Sequence, residues 1–157
     1  MKYLITAILI ALSFTAMTLD VSAVEAKSER AAGDAVKFRK SLLQLVRSNV
    51  GVLNAMAKGK IPVNADTLKK NGARLEQLAD MMPDYFKIDT RKFNIKTDAK
   101  PELWDNTADF ESKIKALKDA AVNLQAASKL TDAGDQKKAI GQVFKSCKSC
   151  HDDYKAD

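Results

Sequence analysis

Cys147, Cys150 and His151 fall within the five-residue stretch Cys147-Lys148-Ser149-Cys150-His151, and they are the only Cys and His residues of the 157-residue chain. The pattern C-x-x-C-H is the attachment signature of c-type haem. Its spacing has a physical basis. On a helix, positions i, i+3 and i+4 share one face, so both sulfurs and the imidazole can meet one flat object. The thiols can form thioethers with the haem vinyl groups while His151 coordinates the iron. Other chemistries fit less well. A Cys147–Cys150 disulfide would join neighbouring positions of one helix and constrain little. Structural zinc needs four ligands, and the chain holds three soft ones. A thioredoxin-type C-x-x-C opens a helix beside a βαβ unit, whereas this one lies near the C-terminus of a helical chain.

The rest of the chain must position that helix. Hydrophobic residues make up 46%, charged residues 29% and aromatic residues 6%, with six Gly and three Pro. This composition excludes disordered and collagen-like chains and is too poor in turn residues for an all-β domain. From about Ser28 to Lys58, the apolar positions Val36, Leu43, Val46, Val50, Leu53 and Ala57 recur at helical spacing. Gly59 and Pro62 end that helix. Asn64 caps a second, with the inner row Leu68, Gly72, Leu75, Ala79 and Met82, which Pro83 is expected to stop. Residues 83–100 show no sustained period and read as a long crossover. A third helix opens at Pro101 and carries Leu103, Thr107, Phe110, Ile114, Leu117, Ala121, Leu124 and Ser128 on one face. A tight connection, Thr131 to Asp135, returns the chain antiparallel. The fourth helix, about Gln136 to Tyr154, turns Ile140, Val143, Phe144, Cys147, Cys150, His151 and Tyr154 inward. The predicted fold is an all-α, antiparallel four-helix bundle with one long crossover and covalently attached haem.

Residues 1–23 read as an address. Lys2 precedes an apolar run from Tyr3 to Leu19, and Val21-Ser22-Ala23 supplies a small-x-small ending. That is a secretory signal peptide. Cleavage after Ala23 fits best, with Ala26 the alternative; a retained membrane anchor is disfavoured because no basic stop-transfer cluster follows. The expected mature domain is 24–157, located in the periplasm. Losing Lys2 and Asp20 leaves the net charge at +6.

Three stretches carry a family resemblance: Cys147-Lys-Ser-Cys-His-Asp-Asp-Tyr154, Asp34-Ala-Val-Lys-Phe-Arg39-Lys-Ser in the first helix, and Pro101-Glu-Leu-Trp104 opening the third. Together they resemble the cytochrome c prime family, the class II c-type cytochromes, over about residues 34 to 155. The resemblance implies one covalent haem c per chain inside the bundle, His151 as proximal ligand and an apolar distal side on the first helix. Measured back from Lys58-Gly59, the family's distal position falls on Leu43. Low-spin members carry Met there. Leu has no donor atom, so the resemblance implies a five-coordinate, high-spin iron. Without that register Leu43 would be an ordinary core leucine, and Met56, Met81 and Met82 are read as packing. Arg39 breaks the apolar row four residues before Leu43, and an inward Arg needs an anion. The resemblance supplies one, a haem propionate. Trp104, the only Trp, is placed near the haem edge, although core packing explains it almost as well.

Lysines are spread over every helix with no Arg cluster among aromatics, which argues against a nucleic-acid site. Two propionates would lower the charge to about +4, enough to favour acidic redox partner proteins weakly. No membrane contact is expected after signal cleavage. The functional reading is a gas-binding haem protein for nitric oxide and carbon monoxide, serving nitric oxide scavenging or storage. Oxygen generally needs a polar distal group, which Leu43 does not offer. The alternative is a periplasmic electron carrier. An enzyme is not expected, because no distal His or Arg is placed to assist O–O cleavage. Where many family members carry Arg, four residues after the haem His, this chain has Lys155, which keeps the charge but loses the planar fork. A second apolar row on the first helix (Phe38, Leu42, Leu45, Val52 and Met56) predicts a two-fold homodimer.

Overall fold

Three of the four long helices start where a short polar side chain satisfies a free backbone N–H. In the computed structural model, which describes residues 23–156, Ser28 Oγ accepts from Ala31 N at 3.1 Å and opens α1 (Glu29–Ala57). Asn64 Oδ1 accepts from Thr67 N at 2.8 Å and opens α2 (Ala65–Phe86). Asp132 does the same for α5 (Ala133–Tyr154) through Asp135 N at 2.8 Å. Gly59, at φ 68°, terminates α1 in the left-handed region where a Cβ would be strained. Two further pieces are short. The strands β1 (Val24–Glu25) and β2 (Ile88–Asp89) pair in parallel, and α3 (Glu102–Asp105) precedes α4 (Thr107–Ala127).

The four long helices form an antiparallel bundle in which α2 packs on α4, α4 on α5, and α1 on α2 and α5. Close approach of α2 and α4 depends on Gly72. A Cβ there would lie 2.6 Å from Gln125 Cγ and 2.9 Å from the Ala121 carbonyl. Among the described residues no helix is long and apolar enough to cross a membrane. The expected signal peptide lies outside the described residues except for Ala23.

Several local expectations are corrected. Pro83 does not stop α2, which runs on to Phe86; proline leaves the Ala79 carbonyl without its helical donor, but Lys87 N still bonds the Pro83 carbonyl at 3.0 Å. The extra turn buries Phe86 against Phe110, with ring centroids 5.1 Å apart. The third helix is two helices, broken at Asn106. Pro101 caps α3 rather than sitting inside it. The fourth begins at Ala133, three residues early. On α1 the buried face is Ala32, Val36, Arg39, Leu42, Asn49, Leu53 and Met56, so the inward direction is rotated from the predicted row. Leu42 and Met56, from the second apolar row, are buried, whereas Leu43, from the predicted inner row, is 40% exposed. The β1–β2 pair was not predicted at all.

Candidate cofactor site

The core is packed unevenly. Leu53, Met56, Leu68, Leu75, Leu124, Ile140 and Val143 fill the half of the bundle nearer the α1–α2 and α4–α5 connections. The other half opens into an apolar cavity of about 160 Å³. Native interiors leave few voids larger than a water molecule. A cavity of this size lined by Val36, Leu43, Val46, Phe86, Phe110 and Ile114 is therefore shaped for an apolar occupant.

The last helix supplies the chemistry. Cys147, Cys150 and His151 all line the cavity from α5. Burial pushes the Cys147 thiol up and the Cys150 thiol up to about 11. Both sulfurs are therefore neutral thiols at neutral pH, unlike the lowered thiols of redox or thiolate–metal sites. They are free rather than disulfide-linked. Partial burial, helped by the Lys155 ammonium, holds the His151 imidazole below its ordinary range. It is neutral at pH 7 and offers a lone pair to a metal. Among the described residues no group of three or more His, Cys, Asp or Glu could hold a metal ion by itself. A metal bound by His151 needs its remaining ligands from elsewhere, as a porphyrin provides. Thiols for vinyl groups, one imidazole and an apolar cavity fit haem.

Helix α1 supplies the facing wall through Val36, Arg39, Lys40, Leu43 and Val46. Leu43 is 40% exposed and lines this cavity rather than being buried in the packed core. Arg39 is only 2% exposed. Its Nη1 donates to the Ile88 carbonyl at 3.2 Å and its Nη2 to Thr90 Oγ1 at 3.0 Å. Burial lowers its pKa to about 10, with Asp89 acting in the opposite direction. Asp89 itself is bonded to Arg91 at 2.8 Å. A buried guanidinium thus meets a carbonyl, a hydroxyl and aromatic faces, and retains donors for an anion entering the cavity.

Trp104 does not line the cavity. It is buried behind Arg39, whose guanidinium carbon lies 5.1 Å from the ring centroid, and Arg91 lies 5.8 Å from the same ring. Its Nε1 donates to the Phe86 carbonyl at 3.0 Å. The ring therefore packs in the core behind Arg39, where its face favours the guanidinium.

Sequence reasoning missed the rim. The crossover is tied to the end of α5 by Lys100 N to the Tyr154 carbonyl at 3.0 Å and Ala156 N to the Asp98 carbonyl at 2.8 Å. Thr97, Asp98 and Ala99 consequently edge the cavity together with Lys155. Backbone pairing of this kind leaves no periodic signal. Phe110 and Tyr154 do lie on predicted inner rows; they meet edge-on at 5.2 Å, and the Tyr154 hydroxyl donates to Asp109 at 2.6 Å.

Comparison with known proteins agrees with this geometry. Residues 34–155 match the family described as Cytochrome C'. Cytochrome c' of Alcaligenes xylosoxydans xylosoxydans is 37% identical over 122 residues, covering 78% of this chain and 93% of the relative. Among solved structures, cytochrome c prime from Shewanella frigidimarina is 33% identical with a TM-score of 0.71, covering 80% of this chain and 97% of that one. A nitric oxide complex of a single-residue variant of cytochrome c prime from Alcaligenes xylosoxidans is 35% identical with a TM-score of 0.69, covering 80% and 96% respectively. With the C-x-x-C-H helix lining an apolar cavity in a four-helix bundle, the chain belongs to the cytochrome c' family.

Proposed function

We propose that the mature chain, 24–157 after cleavage behind Ala23, is a periplasmic haem protein that reversibly binds nitric oxide and carbon monoxide, for nitric oxide scavenging or storage rather than for an enzymatic reaction. One haem c is held per chain. Cys147 and Cys150 would hold the haem through thioethers, each made by adding a thiol S–H across a vinyl double bond with the hydrogen placed on the neighbouring carbon. His151 would ligate the iron, and Arg39 would bind a propionate. When bound, the haem would supply an iron able to take a diatomic gas.

The observation that carries this reading is Leu43. It lines the same cavity as His151, from another helix, and has no donor atom. A vacant sixth position suits gas binding and suits electron transfer less well, since a change of ligation adds reorganisation. The nitric oxide complex of the Alcaligenes relative supports the assignment. The exposed Lys40 and Lys155 at the cavity rim favour the second reading, docking of an acidic redox partner.

Absorption spectra of the purified oxidised and reduced protein test the proposal. The expected ferrous spectrum is high-spin with a broad Soret band, sharpening on addition of nitric oxide or carbon monoxide. A sharp low-spin α-band without added ligand would overturn it.

A further inference from the structure

The residues that hold Arg39 belong to a segment that is itself held from the other side. Alternate carbonyls of an extended strand point in opposite directions. In the stretch around β2, the Lys87 carbonyl accepts from Val24 N at 2.8 Å and the Asp89 carbonyl accepts from Ala26 N at 2.9 Å. The intervening Ile88 carbonyl points the other way and accepts from Arg39. The hydroxyl oxygen of Thr90, 3% exposed, then accepts from the same guanidinium. Beyond the backbone, Glu25 pairs with Lys92 at 2.7 Å, and Ala26 is 3% exposed. So β2 is clasped between the first residues of the mature chain and the one cation in the cavity wall that is fully buried.

We infer that Val24–Ala26 act as a latch that positions Arg39 through Ile88 and Thr90, and that signal-peptide cleavage must fall behind Ala23 to leave this latch in place. Cleavage behind Ala26 would remove β1 entirely. Two N–H donors and the Glu25–Lys92 pair would go with it, leaving β2 without a neighbour on that side. Two-residue strands have no stability of their own. The Ile88 carbonyl and Thr90 hydroxyl would then no longer fix the angle at which Arg39 faces the cavity. Its remaining supports, the Phe86 and Trp104 rings at 5.8 and 5.1 Å, favour a nearby cation without fixing its donors. Val24, Glu25, Ala26, Ile88 and Thr90 are positioning residues: each acts on the cofactor only through Arg39.

The inference rests on the assignment of Arg39 to a propionate, and the test separates the two. A guanidinium held close to the cofactor disfavours the extra positive charge of the ferric state and so raises the reduction potential. Mass spectrometry of the exported, haem-loaded protein gives its first residue; Val24 is expected, and Lys27 would overturn the latch. Reduction potentials are then measured on the holoprotein, on a variant lacking Val24–Ala26, and on Thr90→Val, Thr90→Ser and Arg39→Gln. The expected order is a large downward shift for Arg39→Gln, smaller downward shifts for the deletion and Thr90→Val, and a return towards the parent value for Thr90→Ser, which keeps the hydroxyl. A merely structural strand would lower the melting temperature of the deletion variant and leave its potential unmoved. Unmoved potentials in both the deletion and Thr90→Val, with Arg39→Gln shifted, would overturn the latch alone. An unmoved potential in Arg39→Gln would overturn the propionate assignment and the latch together. Should the deletion variant fail to accumulate, Thr90→Val decides the question.

Discussion

The two halves of the bundle are built to different rules. In the half near the short connections, Leu53, Leu68, Leu75, Leu124, Ile140 and Val143 are fully buried against each other, and Gly72 lets α2 and α4 approach closely. In the other half the apolar side chains Val36, Leu43, Val46 and Ile114 line a cavity, and a buried arginine is held by a strand rather than by a carboxylate. The first half is complete as a protein core. The second is half of an interface whose other half is a cofactor. Stability should therefore reside in the first and spectroscopic behaviour in the second, and substitutions should sort accordingly.

The largest effect comes from denying the second half its occupant. Cys147→Ser together with Cys150→Ser removes both thioether bonds, so exported protein should carry no covalent haem and should accumulate poorly. The lining side chains then have no partner, a loss of the kind that large-to-small core substitutions cause. Weak near-ultraviolet circular dichroism and a mass lacking haem are the expected signatures. A normal yield of tightly packed haem-free bundle would erase the distinction between the halves.

Next in size is damage to the packed half. Leu124 is 0% exposed, and Leu124→Ala should cost about 2–5 kcal/mol by thermal or denaturant unfolding. Gly72→Ala should cost about 1–3 kcal/mol, because the new Cβ must push aside the Ala121 carbonyl as well as Gln125. Neither should move the Soret band. A shifted spectrum in either variant would mean that packing at the far end is transmitted to the cavity, and the two halves could not be treated separately.

That partition also explains what was legible in the sequence. Rows such as Leu68, Leu75 and Met82, or Ile114, Leu117, Ala121 and Leu124, are periodic because whole helix faces are buried, so the bundle could be read directly. The C-x-x-C-H helix was legible for the same reason, with the functional side chains occupying positions of one face. Arg39 stood out as a cation in an apolar row. Its supports did not. Ile88 acts through its carbonyl, which any residue has, and Val24–Ala26 act through backbone N–H groups, so no residue type announces the β1–β2 pair. Leu42 and Leu43 are adjacent on one broad apolar face, and the pattern alone does not say which enters the core and which faces the cavity. Pro83 misled because its cost is borne where Phe86 gains burial. Trp104 packs behind Arg39 and outside the cavity lining, the core position that its sequence context allowed beside a place near the cofactor.

Leu43 sharpens the comparison at smaller energetic cost. Because Leu43 is 40% exposed, Leu43→Ala should destabilise the fold far less than Leu124→Ala. Its effect should fall on ligation. Leu43→Met brings a thioether to the sixth position and should shift the ferrous spectrum towards low spin. Leu43→Ala should widen the approach and speed carbon monoxide binding in stopped-flow measurements. Unchanged spectra and rates in both would show that Leu43 does not face the iron.

The smallest effect on either half should come from the outer face of α1. Of the second apolar row, Leu42 and Met56 are buried within the chain and Val52 is half-buried, which removes them from any strip offered to a partner. Phe38 and Leu45 remain, each 54% exposed and seven residues apart, hence on nearly the same side of the helix. Phe38 also meets Tyr85 of α2 edge-on at 6.4 Å, so the exposed surface continues from α1 onto α2. An apolar surface shared by two adjacent helices suits a two-fold pairing in which the same patch is used twice. We therefore expect a homodimer by sedimentation at high micromolar concentration, split by Phe38→Glu with Leu45→Glu. Splitting should leave both the Soret band and the unfolding of the packed half near their parent values, because neither residue lines the cavity or belongs to the fully buried core. A monomeric mass for the parent chain would defeat the pairing, and a dimer that survives both substitutions would place the interface elsewhere than on α1.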